Sequence, residues 1–285
     1  MTSVSVWGLG PMGQALSGAL VDASFRTTVW NRTESKADGV RARGAAWAAT
    51  PAEAVAASDV TLINVVDHDV VDDLVAQAGD AVGGRVIVGL SSDTPDRARR
   101  TAKLVADLGG HYLDGAIMTP TTIIGTPSGS VLFAGPEGIF QSYRELFSAL
   151  GTPTWLGEDH GRAAAFDMSL LDVFWTSVGG FLHALTVARA NGIAPGELLP
   201  HALGIVDILG PIFDELAERI ASDRHDDSSA PVSSVAASLR HLIGASRDVG
   251  VDAGALEVFR RYVDATVADG HGADEVSRVA SAMTR

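Results

Sequence analysis

Val4-Ser5-Val6-Trp7-Gly8-Leu9-Gly10-Pro11-Met12-Gly13 is the stretch that decides the fold. Four strand-like residues run directly into G-x-G-x-x-G, and a helical pattern through Ala15, Leu16, Ala19 and Leu20 follows. In that setting Gly8 permits the tight turn, Gly10 lets the backbone approach a pyrophosphate, and Gly13 allows the helix to pack closely on the strand. The helix N-terminus then offers its amides to phosphate oxygens. Leu9, Pro11 and Met12 fill the fingerprint between the glycines, and the whole stretch predicts a dinucleotide pocket on a Rossmann domain.

The next strand, Thr27 to Trp30, says which dinucleotide. An NAD-specific fold places an acidic residue at its end, on the ribose hydroxyls. Asn31-Arg32-Thr33 stands there instead, with Lys36 three residues on. A carboxylate would repel a 2′-phosphate, whereas a guanidinium, a hydroxyl and an ammonium on one loop would hold it by charge-assisted bonds. The cofactor read from these residues is NADPH.

Outward from this point strands and helices alternate. A helix is expected from Glu34 to Arg43, a short extended piece near Gly44 to Ala48, and a helix start at Thr50-Pro51-Ala52-Glu53, with a capping residue, Pro at the first position and an acid in the first turn. Val60 to Val66 and Arg85 to Leu90 read as buried strands, and Val70 to Gln77 and Asp96 to Leu108 as helices. Such alternation implies right-handed crossovers and a parallel sheet whose ligand lies at its carboxyl edge. Val65, Val66, Ser91 and Ser92 fall on that edge and are expected to face the nicotinamide. His111 to Asp114, Val131 to Ala134 and Thr152 to Leu156 read as later strands, and Glu137 to Leu150 as a helix. Gly115 to Gly125 between the first two of these strands reads as an apolar, threonine-bearing loop.

Asp159 to Asn191 reads as one long helix, capped by Asp159 and stopped at Asn191-Gly192. It is apolar around most of its circumference, as helices are inside a large core or a subunit interface. Asp167 is the polar exception in its apolar first half. Beyond it, Ala194 to Gly210, Pro211 to Ala221, Val232 to Val249, Gly254 to Ala268 and Ala273 to Thr284 look helical, with a polar loop at Asp223 to Ala230 and no strand pattern. The expected organisation is an NADPH-binding Rossmann domain over 1–158, an interdomain helix over 159–191, and a helical domain for dimerisation and substrate over 192–285.

Composition narrows the function. The chain of 285 residues is 46% hydrophobic and 20% charged, which fits an ordered globular protein. No uninterrupted apolar run reaches the roughly 18 residues of a membrane span, and no basic leader precedes Val4, so a cytoplasmic protein that spans no membrane is expected. A net charge of −14 argues against nucleic acid as a partner. The absence of cysteine excludes thiolate catalysis and zinc-thiolate sites. The histidines lack metal-ligand spacing, so no metal is expected.

The chain resembles the imine reductase and reductive aminase family, relatives of the β-hydroxyacid dehydrogenases, along essentially its whole length. The resemblance rests on Gly8 to Gly13, Val29-Trp30-Asn31-Arg32-Thr33 with Lys36, Thr94-Pro95, Gly115 to Gly125, and Phe166-Asp167-Met168-Ser169-Leu170-Leu171. It implies a Rossmann domain joined by the long helix to an all-helical domain, and a homodimer whose two chains exchange these halves. It implies NADPH-dependent reduction of C=N to an amine, of cyclic imines above all. The family's acid falls on Asp167, and a second position, often aromatic, on Trp175. Reductive aminases tend to carry Asn in the loop after the fifth strand, where this chain has Ser91-Ser92, which predicts weak condensation of a free amine with a carbonyl.

Imine reduction needs hydride at carbon and a proton or a cation at nitrogen. Asp167 among apolar neighbours would keep a raised pKa and donate a proton, or, if ionised, stabilise the iminium. Trp175, two helical turns on, could stack on that cation. A β-hydroxyacid dehydrogenase, the first rival, uses a lysine base in the long helix, and the only lysines here are Lys36 and Lys103. The second rival, a catalytically silent NADPH-binding dimer, leaves a buried carboxyl at Asp167 without a role.

Overall fold

The strand-to-helix alternation is borne out in a computed structural model, which describes residues 2–284. The first half comprises β1 (Ser3–Trp7), α1 (Pro11–Asp22), β2 (Arg26–Trp30), α2 (Asp38–Ala42), β3 (Ala46–Trp47), α3 (Pro51–Ala56), β4 (Val60–Ile63), α4 (His68–Ala78), β5 (Val86–Gly89), α5 (Pro95–Asp107), β6 (His111–Ile117), β7 (Ser130–Ala134), α6 (Glu137–Ser142), α7 (Arg144–Ser148) and β8 (Thr152–Trp155). One sheet takes them in the order β3-β2-β1-β4-β5-β6-β7-β8. The strand order reverses between β1 and β4, and at such a switch point a crevice opens beyond the carboxyl ends.

The central strands β1, β4 and β5 are buried on both faces, as continuous apolar runs in a parallel sheet should be. Val4 and Val6 point into one core with Leu16, Leu20, Phe133 and Phe147, while Trp7 points into the other with Ile63, Val71, Val75 and Ile87. Thr50 caps α3, accepting from the Glu53 amide at 3.1 Å, and Glu53 returns the bond to the Ala49 amide at 2.9 Å.

Four expectations are corrected. The sheet is not wholly parallel, since β7 runs antiparallel to β6; no helix separates these strands, so the chain can only double back. β6 continues through Gly115, Ala116 and Ile117, which the sequence placed in a loop. The helix expected over Glu137 to Leu150 breaks at Tyr143 (φ −117°, ψ 16°) into α6 and α7. The break expected at Pro211 is absent.

Past β8 come α8 (Gly161–Ala190), α9 (Pro195–Ser222), α10 (Val232–Asp248) and α11 (Gly254–Thr266), then a π turn at Val267–His271 and a 3-10 segment at Val276–Thr284. α9 is continuous over 28 residues with Pro200 and Pro211 inside it. The chain divides into two compact bodies, residues 1–174 and 175–285, and α8 runs through the division. Val232, Ala236, Leu239, Val263 and Val279 form the core of the second body.

α8 and α9 are each long and apolar enough to cross a membrane by length and composition, against the expectation that charges and glycines would interrupt every such run. Glycine pairs such as Gly179-Gly180 do not interrupt a helix. Phe166, Leu170, Phe174 and Leu182 on α8, and Leu203, Val206, Ile208 and Phe213 on α9, stand exposed.

Candidate functional site

The turn between β1 and α1 is built as its glycines require. Gly8 has φ +89°, a left-handed conformation, and its amide donates to the Trp30 carbonyl at 3.1 Å. A Cβ on Gly13 would lie 1.8 Å from the Gly8 carbonyl oxygen, so that glycine is demanded by the turn itself. A Cβ on Gly10 would meet nothing within 4 Å. Gly10 is also the N-cap of α1 and puts no side chain on the helix's free amides, with Pro11 at the first helical position. Leu9 is fully buried, and only its backbone faces the turn.

Gly8, Gly10, Pro11 and Met12 form the floor of a cleft of about 700 Å³. Trp30, Asn31, Arg32, Thr33 and Lys36 form one wall; Asn64, Val65 and Val66 lie beyond β4, and Val70, Asp73, Leu74 and Gln77 of α4 form the opposite wall. Asn31 braces the site: its Oδ1 accepts from the Leu9 amide at 2.9 Å and its Nδ2 donates to the Thr33 carbonyl at 2.9 Å. Arg32, Thr33 and Lys36 are exposed. Glu34, the loop's own carboxylate, is taken by Arg41 at 3.0 Å. Among the described residues neither Arg32 nor Lys36 has an ion-pair partner, and both line the cleft.

At the carboxyl edge Val65 and Val66 border the cleft, Val66 being 77% exposed. Ser91 is buried, and its hydroxyl accepts from the Val65 amide at 3.0 Å, tying the loop after β5 to the loop after β4. Asn64 adds a second tie, Nδ2 to the Leu90 carbonyl at 2.6 Å. Ser92 reaches the other way and donates a hydrogen bond to Asp167.

Asp167 sits in the second turn of α8 with only 4% of its surface exposed. Burial lifts its carboxyl above the ordinary carboxylate value, and the Ser92 hydroxyl pulls it back by less. Trp175 is 63% exposed.

A second buried carboxyl stands where the sequence shows only the end of a strand. Asp114 of β6 is 1% exposed; its Oδ1 accepts from the Tyr112 hydroxyl at 3.2 Å and its Oδ2 from the Ala164 amide of α8 at 3.0 Å. Burial raises it to about 8, these two hydrogen bonds lower it, and the Asp167 and Asp93 charges raise it further. His68, fully buried, places Nε2 3.8 Å from Asp114 Oδ1. Both residues were visible in the sequence as polar groups at strand ends, and a lone acid within His111-Tyr112-Leu113-Asp114-Gly115-Ala116-Ile117 was the available signal.

The cleft fits a phosphorylated dinucleotide on its own geometry. Gly10 leaves open the space a pyrophosphate needs, the α1 amides are uncapped, and two free cations stand where a 2′-phosphate would lie.

Comparison with known proteins gives the same reading for both halves. Residues 3–157 match the family model for the NAD binding domain of 6-phosphogluconate dehydrogenase, and residues 159–285 match that for the C-terminal domain of NADPH-dependent reductive aminase-like proteins. An NADPH-dependent reductive aminase from Aspergillus oryzae is 29% identical over 282 residues, 96% of this chain and 94% of that one. A Streptomyces aurantiacus imine reductase structure is 36% identical with a TM-score of 0.94, covering 99% of this chain and 100% of its own. A reductive aminase from Aspergillus terreus in complex with NADPH and ethyl-5-oxohexanoate is 29% identical with a TM-score of 0.93, covering 98% of each chain.

Proposed function

The chain belongs to the imine reductase and reductive aminase family, an oxidoreductase family, and we propose that it reduces imines to amines with NADPH, with the buried carboxyl of Asp167 managing the charge at the imine nitrogen. The observation that carries this reading is Asp167 itself, a carboxyl 4% exposed, raised by burial and hydrogen-bonded to Ser92.

When bound, the nicotinamide supplies hydride to the imine carbon. The chain's own residues do the rest. Arg32, Thr33 and Lys36 hold the 2′-phosphate, and the open turn with the α1 amides holds the pyrophosphate. The Ser91 and Asn64 ties fix the loops at the carboxyl edge, where Val65 and Val66 would hold the nicotinamide. Asp167 acts at nitrogen, either by giving a proton to the developing amine or by holding an iminium as its counter-charge. Trp175, in the second body and 63% exposed, carries an indole of the kind that stacks on such a cation. Ser92, where reductive aminases tend to carry Asn, bonds to Asp167, so condensation of free amine and ketone is expected to be slow beside reduction of a preformed cyclic imine.

The exposed apolar faces of α8 and α9 support a homodimer, with the exchange of halves that the resemblance implies. Large apolar side chains exposed along two successive long helices are more than scattered single residues, and a second copy covers them in a cytoplasmic protein without any membrane.

Asp167→Ala tests the assignment. Turnover of a 1-pyrroline should fall roughly 10²-fold or more, the usual range for a lost acid, with NADPH affinity unchanged. Asp167→Asn then separates the two roles. Activity recovered on a permanently cationic iminium means proton donation, and activity still lost means charge stabilisation. Wild-type rates for both variants on both substrates would make Asp167 a structural residue.

A further inference from the structure

A buried polar chain joins α4 and α5 behind Asp114 and takes no part in the chemistry at Asp167. Arg97 holds the Asp72 carboxylate at 3.0 Å, and the Thr101 hydroxyl donates its one proton to Asp72 Oδ1 at 2.6 Å. His68 Nδ1 lies 2.9 Å from the same hydroxyl oxygen and must therefore donate to it. This fixes the tautomer. Nε2 of the neutral ring is a bare lone pair, fully buried and without a hydrogen-bond partner, facing Asp114 Oδ1 at 3.8 Å. The two atoms are too far apart to be hydrogen-bonded, and a lone pair facing an ionised carboxylate in a dry interior would be repelled, which favours the neutral acid. Burial lowers the His68 pKa, against the opposing pull of Asp93, Asp72 and the Ser91 backbone, while burial lifts the Asp114 carboxyl to about 8, so near neutral pH the proton rests on Asp114.

Asp114 in turn grips α8. Its Oδ2 takes the Ala164 amide, one turn before Asp167 and on the same face of the helix. From this geometry we infer that Asp114 and His68 are a positioning couple for Asp167: Asp114 ties the first turn of α8 to the sheet, and the proton it keeps against His68 sets how much negative charge lies beneath Asp167. The inference rests on the proposed role of Asp167. The groups facing Asp114 are Tyr112 on its own strand, His68 on α4, Asp93 after β5 and Asp167 on α8. Gly89 of β5 and Ala134 of β7, its register partners, bring no titratable group.

The test uses the whole enzyme with NADPH and a permanently cationic N-alkyl iminium, so that the substrate does not titrate. In the wild type, loss of the Asp114 proton to solvent adds a second negative charge beneath the cation. The KM should therefore fall roughly five- to tenfold, the order expected of one added unit charge acting through a partly polar interior, as pH rises through about 8. Asp114→Asn keeps the shape and cannot ionise, so its KM should be flat across that window. Tyr112→Phe removes a hydrogen bond that lowers the Asp114 pKa, so the step should move to higher pH. A step that survives in Asp114→Asn, that Tyr112→Phe leaves in place, or that the wild type lacks would overturn the inference. A merely structural Asp114 would lower the melting temperature and leave the shape of the profile alone. Infrared difference spectra read the couple without turnover: a protonated-carboxyl band should bleach near the same pH in the wild type and be missing from Asp114→Asn. If the band behaves so while Asp167→Asn reduces imines at the wild-type rate, the role of Asp167 fails and the buried couple stands.

Discussion

Gly10 and Gly13 belong to one fingerprint, yet the structure assigns them opposite failures. Gly13→Ala places a methyl 1.8 Å from the Gly8 carbonyl oxygen, well inside van der Waals contact and against backbone that cannot swing away. The turn or the helix must move, at about 3 kcal/mol or more for forced overpacking. For a body of this size that is a fall of roughly 6–12 °C in Tm, at about 2–4 °C per kcal/mol. Gly10→Ala meets nothing within 4 Å, and Gly10 has φ −67° and ψ −178°, which alanine adopts freely. Losing glycine at the N-cap costs a few tenths to about 1 kcal/mol. The stiffer unfolded chain returns about 0.4–1 kcal/mol. The net change lies within about 0.5 kcal/mol of zero.

The variants should therefore part company in thermal unfolding with and without NADPH. Wild-type protein gains about 2.7 kcal/mol at a ligand concentration of 100 times Kd. Gly10→Ala should melt like the wild type without ligand and lose most of the NADPH-induced rise, because its methyl occupies the space left for the pyrophosphate. Gly13→Ala should melt low in both conditions. A wild-type melting temperature for Gly13→Ala, or a full NADPH response from Gly10→Ala, would refute this division of labour.

The other predictions concern charge and assembly. Arg32→Ala removes a free cation from the cleft wall and should weaken NADPH binding by an order of magnitude or more, about 1.5–3 kcal/mol for a charge-assisted bond, while NADH binding hardly changes; equal losses by calorimetry would contradict the 2′-phosphate assignment. Folded Asp114 holds its proton to about 8 while the unfolded chain releases it at 3.8, so the native state binds the extra proton between these values and stability falls as pH rises through that window. Asp114→Asn should flatten that slope in urea titrations between pH 7 and 8, above the ordinary histidine value, where the unfolded chain's His68 is already mostly neutral; parallel slopes would contradict it. Light scattering should give the mass of two chains down to low concentration, and a monodisperse, active monomer would remove the case for α8 and α9 as a dimer interface.

The Rossmann half was legible because its physics is local. Gly8 to Gly13, the apolar runs at Val60 and Val86, and the Thr50-Pro51-Ala52-Glu53 cap each declare a conformation within a few residues, and each formed as read. The failures were non-local. That β7 would pair antiparallel with β6 depends on what fills the connection, and that Pro211 would be absorbed into α9 depends on the rest of that helix. Asp167 stood out by being polar in an apolar run. Asp114 did not, since its meaning comes from His68, 46 positions away, and from an amide of α8, 50 positions away.

Two helix N-termini show how one chain makes opposite electrostatic sites. That of α1 is left uncapped at Gly10 and faces the cleft, so its amides and partial positive charge are available to an incoming anion. That of α8 is filled by the chain's own carboxyls: Asp159 accepts from the Gly161 amide at 3.0 Å and Asp114 from the Ala164 amide at 3.0 Å. The same dipole acts on both acids, and their fates diverge. Asp159 is exposed and bonded by Arg99 at 2.9 and 2.8 Å, and falls to about 2. Asp114 is buried beside a neutral ring and a second carboxyl, and rises to about 8. A helix terminus offers roughly 0.3–1 kcal/mol to an anion, whereas leaving water costs a carboxylate several kcal/mol. At Asp114 burial wins, and the proton it keeps spares Asp167 a second negative charge at the Ala164 amide, one helical turn before it.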